Sequence, residues 1–251
     1  MSDQWDAYLT NVNEHPAAIL LDMGASDDTS KAERPQLLQV TFQLNNQDEY
    51  GLPTRDEFNA LYPIEEAVAE AIEQALGAVH VGYMTTQGKR ILCFYAASGE
   101  QLEEVTTAAT ARFTTHRWAC KSQEDPDWEF YWDILYPTPY DMQIMNNQKV
   151  LKALSESGDS LEKPRTVTHW AYFPTDASRS DFVMTISSQN FEVKDLMDGE
   201  EPEDDRPFGV CFERVDPVDF DAINELTLGL VHEVQESGGT YDGWETSVES
   251  E

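Results

Sequence analysis

Hydrophobic residues switch between a two-residue and a 3.6-residue period in the same order twice along this 251-residue chain, and that order restricts the fold more than any single motif. Residues 37–44 alternate, with Leu38, Val40, Phe42 and Leu44 on one side, as a half-buried strand requires. Thr54 and Glu57 stand at capping-box spacing before a helical stretch that Pro63 is expected to interrupt. Ile64, Val68, Ala71, Ile72 and Ala75 carry the apolar stripe beyond it. Residues 79–86 and 89–97 read as a hairpin around Gln87-Gly88. Ser98, with Gln101 three residues on, reads as the start of a helix to about His116, and the aromatic run 128–135 as a strand. Two strand-like stretches, 5–12 and 17–23, lead this half.

From residue 142 the order returns. A helix over 142–157 is followed by strand 166–173, a helix from Thr175 or Asp176 to about 189, strands 191–197 and 208–215, a helix from Asp219 to Gly238-Gly239, and strand 240–248. After the lead-in elements each half reads β-α-β-β-α-β, the split-βαβ or ferredoxin-like order. The expected fold is α+β, with two ferredoxin-like domains at residues 1–140 and 141–251, the first bearing an extra N-terminal β-hairpin. Pro137 and Pro139 stiffen the join.

Charge limits the partners. There are 48 acidic and 16 basic residues, a formal net charge of −32, spread as −15 over residues 1–140 and −17 over 141–251. A surface of that sign repels phosphate backbones and anionic lipid, so neither direct nucleic-acid binding nor membrane association is expected. A basic protein surface is the partner it attracts. The chain opens on Met1-Ser2-Asp3 with no apolar run, and no window reaches the roughly 18 apolar residues of a membrane span, so a cytoplasmic location is expected. Cys93, Cys120 and Cys211 are an odd number of cysteines at wide spacing; Cys93 and Cys211 sit in apolar strand-like runs and read as buried core thiols, which fits a reducing compartment.

Catalytic patterns are sparse. There is no Gly-x-Ser-x-Gly, no Cys-x-x-Cys, no His-Glu-x-x-His and no Gly-x-Gly-x-x-Gly. His116 and Cys120 would share a helix face if the second helix ran on, but no third group is evident to orient the imidazole. The acidic stretch Asp198 to Asp205 has oxygen ligands for a divalent ion without EF-hand spacing, and reads as a solvated loop. The aromatic run Trp128 to Trp132 lies among acids, which argues for core packing over base stacking. No catalytic, cofactor-binding or metal-binding residue is assigned.

The segment Tyr241-Asp242-Gly243-Trp244 stands apart. Gly243 inside a strand marks a bulge or a close backbone approach, and Tyr241 and Trp244 each offer apolar area with a polar handle. Their odd spacing puts them on opposite faces of a regular strand. This segment, with Gly158-Asp159-Ser160-Leu161 and Val167-Thr168-His169-Trp170, resembles the bacterial regulators of ribonuclease E activity, type B (RraB-like), over about residues 142–249. The first half, through Trp5-Asp6-Ala7-Tyr8 and Pro16-Ala17-Ala18-Ile19, resembles an uncharacterised bacterial domain of unknown function that precedes such modules.

The resemblance implies a ferredoxin-like acidic protein that binds an endoribonuclease and modulates its RNA cleavage, with no catalytic residue and no cofactor. His169, Trp170, Tyr241, Asp242, Gly243 and Trp244 are the candidate partner-binding or family-motif residues. The characterised regulators lack a leading domain, which this chain has. Two other readings stay open at this point: an enzyme using carboxylates or a divalent metal, and a structural or oligomerising module.

Overall fold

The computed structural model describes residues 4–26, 31–199 and 205–249. The chain divides into two compact units, Met1–Pro137 and Thr138–Glu251, and both are α+β.

The first unit is built on a six-stranded antiparallel sheet. Its strands are β1 (Trp5–Val12), β2 (His15–Asp22), β3 (Gln36–Gln43), β4 (Val79–Thr86), β5 (Lys89–Ala96) and β6 (Trp118–Glu124), in the order β1-β2-β4-β5-β3-β6. The turn between β1 and β2 needs only Asn13 and Glu14, both at positive φ, the geometry that matches strand twist in a two-residue hairpin. Helices α1 (Arg55–Leu76) and α2 (Leu102–Thr110) cover one face of the sheet. Leu61, Ile64, Val68 and Ile72 of α1 close over Leu38, Val40 and Phe42 of β3 and over Leu92 and Phe94 of β5.

Four local expectations are corrected here. Pro63 does not interrupt α1, which runs unbroken from Arg55 to Leu76. Pro63 and Asn59, whose carbonyl loses its amide partner, both lie on the exposed side, and the buried stripe passes continuously behind them. The second helix starts without a side-chain cap at Gln101 and stops at Thr110, well short of His116. The stretch 128–135 is not a strand. The strand that pairs with β3 is the more polar β6, an edge strand with one face in water.

Residues Phe130–Leu135 instead wind into one wide helical turn. Asp125 sets that turn. Its carboxylate accepts the amides of Glu129 (2.7 Å) and Phe130 (3.0 Å) and the hydroxyl of Tyr95 (2.5 Å). Trp128, at φ 58°, then stacks on Tyr95 with centroids 4.0 Å apart and donates its indole N–H to the Arg34 carbonyl. Carboxylate-to-amide bonds that hold a turn compete directly with strand pairing.

The second unit carries α3 (Pro139–Glu156), β7 (Arg165–Phe173), α4 (Asp176–Ser188), β8 (Glu192–Asp198), β9 (Phe208–Asp216), α5 (Phe220–Glu236) and β10 (Thr240–Thr246). Its four strands are antiparallel in the order β10-β7-β9-β8. The helix starts follow local chemistry. Thr138 and Thr175 form reciprocal capping boxes with Asp141 and Ser178, and the Asp219 carboxylate accepts the Ala222 amide. Phe182 and Ile186 of α4, Leu230 and Val234 of α5, and Leu151 and Leu154 of α3 all pack on the sheet face that carries Val167, Ala171 and Phe173. Among the described residues, no helix is long and apolar enough to cross a membrane. Most of the acidic stretch Asp198 to Asp205 lies outside the described residues.

Candidate functional site

The motif residues of the second unit meet where β10 pairs with β7. Tyr241 stands opposite Ala171, but the register then slips, so Gly243 faces Trp170 and Trp244 faces His169. The extra residue is Asp242, which is exposed. Gly243 takes φ 123°, a conformation closed to side-chain-bearing residues at low cost. This bulge overturns the expectation that Tyr241 and Trp244 face opposite ways. One inserted residue changes the alternation, and both side chains turn toward the helices, Tyr241 against the α4–α5 cluster and Trp244 into the α3–α5 cluster.

Each buried aromatic then needs a partner for its polar atom. The Tyr241 hydroxyl lies 2.7 Å from Nδ1 of His169. The His169 ring is fully buried, stacked on Phe212 and edge-on to Phe191. Burial, with the Arg214 charge nearby, pushes its pKa down to about 3. Its Nε2 has no hydrogen-bond partner among the described residues. Trp244 donates its indole N–H to Oδ1 of Asn147 at 2.7 Å. Asn147, fully buried on α3, also accepts from Gln143 and donates to Asn224 Oδ1 and Thr227 Oγ1 on α5.

Of the six residues singled out from the sequence, Tyr241, Trp244 and, through Nδ1 alone, His169 therefore have polar atoms engaged inside the fold. Trp170 is half-buried on the opposite sheet face, Asp242 is exposed, and Gly243 makes the bulge. Tyr241 and Asp242 also border a cleft of about 270 Å³ with Met142, Gln143, Val231 and Thr240.

His116 and Cys120 do not share a helix face. Cys120 sits on β6, while His116 Nε2 lies 3.0 Å from Glu57 Oε1 in a contact closed to solvent. The Glu57 carboxylate also accepts the amides of Asn45 and Asn46; burial raises its pKa, but the Asn45 amide, the His116 contact and the Asn46 side chain together outweigh that and hold it below the usual value. The group acts as a splice between the β3–α1 loop and the start of β6. Burial pushes the Cys93 thiol up to about 12 and also raises Cys120 and Cys211. Among the described residues, no three His, Cys, Asp or Glu side chains converge as a metal site would require.

Sequence reasoning missed the Asn147 network and a second buried pair. Asp159 and Arg165 are ion-paired with both side chains shielded from solvent, and Asp159 also accepts the amides of Leu161 and Glu249. A signal for the network was present. Gln143 and Asn147 are four apart on α3, and Asn224 and Thr227 three apart on α5, each polar where a stripe asks for apolar residues.

Family comparisons match this division. A model described as "Family of unknown function (DUF695)" matches residues 3–136, and one described as "Regulator of ribonuclease activity B" (RraB) matches residues 144–246. The chain belongs to the DUF695 family and carries an RraB domain. No curated protein matches the chain. Among solved structures, the crystal structure of an unknown protein from Galdieria sulphuraria aligns over 86% of this chain and 100% of that one, at 10% identity and a TM-score of 0.25. At that score the alignment carries no argument about fold or function. In the RraB unit the Tyr-Asp-Gly-Trp motif is the bulged strand that closes the sheet over His169.

The two buried histidines make an acid-sensitivity prediction. His80 in the DUF695 unit is packed against Phe94, Tyr83 and Trp5, and burial pushes it down to about 3, as at His169. Both folded-state values lie below the unfolded value near 6.5, so the unfolded chain binds more protons between those limits. Stability is full above about pH 6.5 and falls with acid, by up to about 1.4 kcal/mol per pH unit for each site. Urea melts of wild type and His169→Gln at a series of pH values check this. The gap between the two proteins should narrow steadily below about pH 6.5.

Proposed function

We propose that this chain is a non-catalytic regulatory protein whose RraB unit binds an endoribonuclease of the ribonuclease E kind and modulates its cleavage of RNA. The match of residues 144–246 to the regulator of ribonuclease activity B carries this reading. The charge of −32 supports a basic protein surface as the partner and argues against RNA itself. The cytoplasm, where such a nuclease acts, is the proposed location.

The architecture extends the proposal. Numbering the strands within each β-α-β-β-α-β run, both sheets have the order 4-1-3-2, which supports ferredoxin-like domains with β1 and β2 added to the first. The proposed domains are residues 1–140 and 141–251. In the second, His169, Tyr241, Gly243 and Trp244 shape the strands, and Trp170 and Asp242 are the members of the motif set placed to touch a partner.

Titration of purified ribonuclease E with the full chain at about 50 and about 250 mM salt tests the reading. Saturable binding that weakens several-fold at the higher salt is expected. Absence of saturable binding at either salt, or binding indifferent to salt, sinks it.

A further inference from the structure

The sheet of the RraB unit has two unlike faces. Val167, His169, Ala171 and Phe173 of β7 are fully buried under α3, α4 and α5. Alternation sends Thr168, Trp170 and Tyr172 to the other face, where none of the unit's three helices packs. Strand register gives the layout there. One row across the sheet reads Gly243, Trp170, Cys211, Asp195, and the next reads Glu245, Thr168, Glu213, Glu192.

The middle of this face is apolar. Trp170 lies beside Cys211, and Tyr172 and Met197 close over Gly209, where a Cβ would stand 2.9 Å from both side chains. At Gly243, paired with Trp170, a Cβ would meet nothing within 4 Å, so the space beside this backbone is open. Val215, 64% exposed, lies on the same face beyond Glu213. The rim is acidic. Asp195, Glu213 and Glu245 act on the Cys211 thiol electrostatically, while Lys194 is held between Glu192 (3.2 Å) and Glu213 (3.1 Å).

The edges of the same sheet are poor places for a partner strand. β8 carries Glu192, Lys194, Asp195 and Asp198 and is bulged between Val193 and Asp195, and β10 is bulged at Asp242. That leaves the face.

We propose that this open face, centred on Trp170 and Cys211 and rimmed by Asp195, Glu213 and Glu245, docks an arginine-bearing segment of the partner protein. The proposal rests on the protein-binding reading and names its contact surface. A guanidinium stacks on an indole while its N–H groups reach carboxylates in the neighbouring row, which an ammonium does less well. An aromatic centre inside a charged rim is also the usual anatomy of a protein-binding hot spot.

Alkylation of the thiols with iodoacetamide, in the full chain alone and bound to ribonuclease E, reads the surface directly, because Cys211 lies in it and Cys120 on β6 is a second thiol in the same chain. Cys211 should slow at least about tenfold in the complex while Cys120 keeps its free rate. Trp170→Ala and the double variant Asp195→Asn/Glu245→Gln should each weaken binding about tenfold or more. Glu225→Gln/Glu236→Gln, which removes two charges from exposed positions of α5, should leave it within about twofold.

A formed complex in which Cys211 reacts at its free rate, or in which both thiols slow equally, overturns the proposal and leaves the binding reading standing. If ribonuclease E does not bind at all, the binding reading fails. An oligo-arginine peptide then tests the face by itself, and a Cys211 rate unchanged by saturating peptide overturns it too.

Discussion

Replacing Asn147 with alanine will destabilise the RraB unit by about 3–5 kcal/mol, because the change orphans several buried groups at once. Asn147 uses its whole amide. Oδ1 accepts from Gln143 (2.8 Å) and Trp244 (2.7 Å), and Nδ2 donates to Asn224 (2.8 Å) and Thr227 (2.7 Å). Without it the Trp244 indole N–H, the Gln143 amide and the Asn224 carbonyl oxygen stay buried with fewer partners, each costing about 1–3 kcal/mol. A leucine of similar size should not rescue the unit, since the cost lies in the stranded partners and not in a cavity. Asn146→Ala, one residue away and exposed, should fall within about 0.5 kcal/mol of wild type. Urea unfolding of the three variants followed by near-ultraviolet circular dichroism checks the series. A small effect at Asn147 would mean that α3 is not held to α5 and β10 through this amide.

Arg165→Met is expected to cost about 3 kcal/mol, since it leaves the Asp159 carboxylate shielded and unpaired. The pair closes a clip. Arg165 also donates to the carbonyls of Lys163 and Ser247, and Asp159 accepts the Glu249 amide, so the entry to β7 is bound to the chain leaving β10. The Arg165 guanidinium holds the Asp159 pKa well below the usual carboxylate range. A depressed folded value means that this stabilisation is present above the unfolded pKa near 3.9 and is lost as pH falls toward the folded one. In Arg165→Met that contribution is already absent, so the gap between the two proteins should be widest near neutral pH and should shrink as pH falls below about 4, where wild type loses what the pair supplied. Urea melts of both proteins from about pH 3 to pH 7 read the difference.

Much of the secondary structure was legible because the hydrophobic periods of β3, β4, β5, β7, β9, α1 and α5 are strong. The two α+β units and their families followed from element order and a few motif residues. What failed did so for identifiable reasons. Residues 128–135 carry strand-like aromatics, yet Asp125 captures two backbone amides and turns the chain, and no periodicity records a hydrogen bond from four residues upstream. β6 was missed because an edge strand exposes one face and carries little apolar alternation. Pro63 reads as a helix break but lies where the missing hydrogen bond faces water.

The motif site was half legible. Gly243 announced the bulge, but its consequence, that Tyr241 and Trp244 turn to the same side, depends on which residue is inserted in the register. Asp159 was noticed as part of a family signature and Arg165 was not, because only the folded clip brings the pair against the far end of β10. The outer face around Trp170 was hidden for a related reason. Trp170, Cys211, Asp195 and Gly243 are dispersed over 74 positions and become one row only through strand pairing.

A cleavage assay tests the regulatory reading most directly: purified ribonuclease E acting on a defined RNA, with the full chain added stepwise. The account predicts a change in cleavage rate that saturates with added chain, shrinks as salt is raised, and leaves the RNA uncut when the nuclease is omitted. A rate that stays flat up to concentrations well above the nuclease, or RNA cut by the chain alone, would contradict it.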